Sequence, residues 1–91
     1  MVEDIKVLLR ERMAARVHGV WAKWLNYMFN KGVFKEDGSW VLPREYVDRW
    51  TTQMNKKYEE LNDIEKEGNR RIADQYIAVF WLVQGRERKN K

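Results

Sequence analysis

Val17-His18-Gly19-Val20-Trp21-Ala22-Lys23-Trp24-Leu25 decides how the rest of the chain is read. On a helix, residues three and four apart are neighbours. His18, Trp21 and Leu25 therefore share one face, and Val17, Val20, Trp24 and Met28 make the adjoining one. Together they form a broad apolar band. The same spacing runs back through Met13, Leu9, Leu8 and Ile5, and predicts one helix from Val2 to about Lys31. Gly19 is the only interior residue strongly opposed to it, at roughly 1 kcal/mol relative to Ala. A glycine beside two indoles suggests close approach of another backbone or a ligand. Gly32 is a stop signal. Such a helix is about 45 Å long at 1.5 Å per residue, wider than a compact domain of this size, so one end should protrude or pair with another chain.

Downstream, Asp37-Gly38 marks a turn within an irregular stretch from Gly32 to Leu42. Its flanks fit a short hairpin or a packed loop anchored by Phe34 and Trp40. Pro43 then opens a second helix to about Lys56, with Val47, Trp50, Thr51 and Met54 inward. Tyr58 to Leu61 is a connector. A third helix begins at Asn62, where Asn62 as cap and Glu65 three residues on approximate a capping box. Gly85 is its expected end, followed by a loose basic tail over 86–91. The expectation is a mainly all-α, three-helix single domain over residues 1–85.

The chain has 91 residues, 44% hydrophobic and 13% aromatic, which is too apolar for a disordered polymer. Its net charge of +4 is partly concentrated in the tail, and basic residues alternate with acidic ones elsewhere, so nucleic-acid binding is not expected. There is no Cys and one His, which excludes disulfides and argues against a structural metal site. The longest apolar run, Tyr76 to Val83, is too short to span a bilayer, and the N-terminus does not read as a signal peptide. A cytoplasmic location follows as an expectation. No cofactor is implied.

Tyr76 to Val83 is apolar on every side, and a helix of that kind must be covered on every side. Three short helices cannot easily do so. Leu8, Tyr76, Val79, Phe80, Trp81 and Val83 are therefore expected at the interface of a homo-oligomer. The plainer reading leaves Trp81 and Val79 as scattered surface residues.

Leu61-Asn62-Asp63-Ile64-Glu65-Lys66-Glu67-Gly68-Asn69-Arg70-Arg71 concentrates the polar groups. Its arginines suit phosphate or carboxylate recognition, and Gly68 would allow close approach. The plainer reading is a solvated, salt-bridged helix face. The plainer and commoner reading of His18 is a hydrogen-bonded residue at the core edge. No phosphate loop, metal box or nucleophile motif is present, so no enzyme activity is expected.

His18-Gly19-Val20-Trp21 and Leu61 to Arg70 together resemble ryanodine-receptor-type (RyR) repeat domains. The first is similar to that family's His-x-x-Trp element. The second is similar to its Leu-Pro/Ser-x-x-Glu-Lys-x-x-Asp/Asn-Arg element. The resemblance spans about residues 14–74, and single-domain versions occur in bacteria and phages. The middle segment lacks the family's Gly-Trp-x-Tyr-Gly and His-Pro pattern. The resemblance implies a small helical module that holds an adenine nucleotide between paired copies. Carried onto this chain, Trp21 is the stacking residue, with His18, Glu65, Asn69 and Arg70 as its polar neighbours. The function it implies is a non-enzymatic, phage-type binding module. Its ligand would be an adenine nucleotide or cyclic oligonucleotide, held in a Trp-lined cleft between subunits. A sponge for an immune signal in the host cytoplasm is one such role. The alternative is a protein-interaction or structural module without a small-molecule ligand.

Overall fold

A computed structural model describes the backbone of residues 2–89 and the side chains of residues 4–85. The apolar spacing from Ile5 to Met28 forms α1, Val2–Lys31, one uninterrupted helix. It is followed by a hairpin, β1 (Val33–Phe34) and β2 (Trp40–Val41), then α2 (Arg44–Met54), a 3-10 turn at Tyr58–Glu60, and α3 (Asp63–Lys89). The architecture is mainly all-α, as expected.

Of the two readings of the Gly32 to Leu42 stretch, the hairpin is the one formed. It is antiparallel, with Val33 opposite Val41 and Phe34 opposite Trp40. Its turn is closed by Asp37, whose carboxylate accepts bonds from the Ser39 N–H at 2.9 Å and the Ser39 hydroxyl at 2.6 Å. Gly38 supplies the left-handed backbone (φ 87°) that a side chain would oppose. Gly32 acts by size. The Trp40 indole fills the space where a Cβ would stand, and its N–H donates to the Phe29 carbonyl at 3.1 Å. Gly19 and Gly68, expected to admit a close neighbour, face open space instead.

Pro43 caps α2, accepting from the Tyr46 N–H at 3.0 Å. The helix ends at Met54, short of Lys56. Its expected inward face is only partly realised: Trp50 is half-buried, while Val47, Thr51 and Met54 are exposed. The capping box of α3 is complete. The Asn62 side chain accepts from the Glu65 N–H at 2.9 Å, and the Glu65 carboxylate accepts from the Asn62 N–H at 3.0 Å. At the other end, α3 continues through Gly85 to Lys89, past its expected stop. One interior glycine costs only about 1 kcal/mol, and Arg86-Glu87-Arg88-Lys89 are good helix formers. The expected loose tail is therefore helical as far as Lys89; residues 90–91 lie outside the described residues.

α1 and α3 run antiparallel. Arg16 lies against Gln75, Arg12 shares a groove with Val79, Leu82 and Val83, and Trp24 shares another with Asn69. Among the described residues only Val79 and Val83 are buried, at 8% and 3% exposure. They stand four apart, on the side of α3 that faces α1. Both were expected at a subunit interface. Instead they form the dry strip between two helices of one chain. The molecule is a long thin slab, 55 × 36 × 17 Å, with a radius of gyration of 18.1 Å. A compact chain of this length has a radius of about 12 Å.

Candidate binding groove

Where α1 ends and α2 turns back, the aromatic residues gather. The Trp24 ring lies 5.2 Å from Trp50 at 60°, and 5.6 Å from Tyr27 at 25°. Tyr46 flanks Trp50 at 5.6 Å, and Lys31 Nζ stands 5.1 Å from the Tyr27 centroid. Aromatic pairs of this geometry contribute about 0.5–1.5 kcal/mol each beyond burial. They fix the Trp24 and Trp50 indoles at the edge of an open groove of about 480 Å³. The groove is completed by Gln53, Met54, Lys56, Tyr58, Leu61 and Asn69. Its size falls in the range of small-molecule sites, roughly 300–1,000 Å³.

Tyr58 ties the 3-10 turn to α3. Lys66 Nζ lies 5.7 Å from its ring, and its hydroxyl group sits beside Arg70. The charge of the Tyr58 phenolate form and a hydrogen bond with it raise the Arg70 pKa above its ordinary value, with Glu67 adding to the effect. Glu67 also pairs with Arg70 at 3.6 Å and Arg71 at 3.9 Å, all three exposed. The salt-bridged face foreseen as the plainer reading is thus formed by Glu67, Arg70 and Arg71.

The five expected ligand residues do not converge. His18 and Trp21 are neighbours, their rings 5.8 Å apart, and Trp21 is 56% exposed. Glu65 is engaged in its capping box, and Arg70 with Tyr58 and Glu67. Asn69 alone lines the aromatic groove, and the indoles it meets there are Trp24 and Trp50 rather than Trp21. The Trp24–Asn69 groove is complete within one chain. Trp24 and Trp50 were the residues missed for this site. The signal for Trp50 was present in Tyr46 and Trp50, four apart on α2, but only the fold of the loop brings Trp50 to Trp24.

A second groove, of about 640 Å³, lies between the other ends of α1 and α3. Val79 and Val83 make its floor, with Arg12, Ala15 and Arg16 on one wall and Trp81, Leu82 and Gly85 on the other. Among the described residues no group of His, Asp or Glu is placed to hold a metal ion. Among the described residues no helix is long and apolar enough to cross a membrane. Compared with family models, curated proteins and solved structures, the chain matches none.

Proposed function

We propose that this chain is a non-enzymatic helical association module, which works by offering a preformed two-helix surface to another polypeptide. The observation that carries this reading is the imbalance of its surface. Among the described residues two side chains are buried, while Val17, Trp21, Ile77 and Phe80 stand 38–56% exposed along one side of the α1–α3 pair. Contiguous apolar surface of that kind marks an interaction site. Hydroxyl-radical footprinting of the purified protein tests it. Trp21 and Phe80 should be protected in the assembled protein and become reactive on dilution. High reactivity at both under every condition contradicts the reading.

The Trp24–Trp50 groove favours a second reading, a site for a flat ligand of the nucleobase type. Two indole rings supply stacking surface, and the Asn69 and Gln53 amides supply hydrogen bonds. The RyR-type resemblance supports it, and a phage-encoded sponge for a nucleotide signal is the role it suggests. Calorimetric titration with adenine nucleotides and cyclic oligonucleotides checks this. Binding should be lost in Trp24→Ala and kept in Trp21→Ala. No heat from folded protein with any of them removes the ligand reading and leaves the association reading intact.

A further inference from the structure

The slab has two broad faces, and they differ in charge. Arg12, Ala15 and Arg16 of α1 border one face together with Trp81, Leu82 and Gly85 of α3. Helical phase turns a different set of residues to the opposite face. Ala14, Val17, Trp21 and Trp24 follow one another at i, i+3, i+7 and i+10 on α1. Asn69, Ala73, Tyr76 and Phe80 follow at i, i+4, i+7 and i+11 on α3. Ile77 adjoins the second stripe. Neither stripe contains a formally charged residue. Val17 is 51% exposed, Trp21 56%, Ile77 51% and Phe80 38%.

Resting on the association reading, we infer that the partner is a second copy of this chain, docked on the uncharged Val17–Trp21–Phe80 face to make a bundle of four helices. Area supports a partner of this size. The chain exposes 7864 Å². A compact monomer of its mass exposes about 5,700 Å². The excess, near 2,200 Å² per chain and spread over both faces and both ends of the slab, is more than twice the roughly 800 Å² per partner of a standard interface, so one face can supply that area. Charge selects the face. A two-fold interface places each patch against its own copy. Stacking on the grooved face would bring Arg12 and Arg16 of both copies together, whereas stacking on the opposite face buries mainly the aromatic, aliphatic and small side chains of the two stripes, with Asn69 at one end and Arg10, one turn before Ala14, at the other. Trp21 is then an interface residue and Trp24 the edge of the groove beside it.

Sedimentation equilibrium with variants on each face tests this. The natural chain should run at twice 11.1 kDa. Val17→Glu and Phe80→Glu should halve that mass with helicity retained, and Leu82→Glu on the grooved face should leave it unchanged. A dimer dissociated by Leu82→Glu and untouched by Phe80→Glu overturns the choice of face while leaving association standing. A natural chain that stays monomeric at all concentrations overturns the second-copy proposal; protection in the footprint would then point to a different polypeptide. Because the chain has no Cys, a second measurement avoids any folding defect. Ala14→Cys or Ala73→Cys labelled with pyrene should give an excimer band, and Ala15→Cys should not. The reverse pattern refutes the assignment.

Discussion

The two ends of α1 meet the same problem with different means. At its C-terminal end, Trp24, Tyr27 and Phe29 are met by Trp50, Trp40 and Phe34. A third element, the hairpin with α2, folds back against them and supplies ring partners, though each stays 39–46% exposed. Along its middle and N-terminal half α1 has only α3, and two helices in contact leave their outer faces open. One turn separates Trp24 from Trp21, yet the first stacks on rings of α1 and α2 and the second meets only its helix neighbour His18, at 45% and 56% exposure. The difference teaches that aromatic content alone does not make a core. What decides is whether a third element lies within reach.

The comparison can be broken most severely at the helix pair. Val83→Asp places a charge in the dry strip against α1 and should cost about 3 kcal/mol or more, abolishing cooperative urea unfolding. The next test belongs to the closed end. Gly32→Ala drives a methyl group into the Trp40 indole and should cost about 1–3 kcal/mol, with a change in tryptophan fluorescence. That loss should not depend on protein concentration, because the hairpin is completed within one chain. Asn62→Ala removes the cap of α3 and should cost about 1 kcal/mol, read as faster amide exchange at Glu65. Gly68→Ala has the opposite sign. Its added methyl meets open space, and the variant should be more stable by about 0.5–1 kcal/mol in thermal unfolding.

The smallest effect is that of pH on the hairpin turn. The Ser39 hydroxyl first, and the Ser39 N–H second, hold the Asp37 carboxyl below its ordinary value of 3.8. A carboxylate lowered in the folded state contributes stability above its unfolded pKa and loses it as pH falls through the folded one. Ser39 amide exchange should therefore accelerate below about pH 4, and Ser39→Ala should narrow that acid-sensitive window.

Legibility in the sequence followed the range of the interaction. The Asn62–Glu65 box, the Asp37-Gly38 turn and the length of α1 were readable because each is decided within a few residues. The role of Gly32 was not, since it depends on Trp40 coming back across the hairpin. Its backbone is not left-handed, as a stop signal would suggest. Gly85 misled for a related reason: a glycine ends a helix only when no adjacent sequence favours continuing it. Tyr76 to Val83 announced that α3 must be covered, but an all-apolar stretch carries no phase. Val79 and Val83 could not be told from Phe80 and Trp81 until α1 chose its side. The ligand constellation was read from spacing within α1 and α3. The structure brings Asn69 to Trp24 and Trp50 because α2, whose placement no local motif specifies, closes that end.

The midpoint of thermal unfolding across a hundredfold range of protein concentration tests the central claim most directly. If the open face of the α1–α3 pair is completed by another copy, the midpoint rises steadily with concentration, since folding and association are then one equilibrium. A midpoint that stays constant over that range, with a monomeric mass throughout, contradicts it.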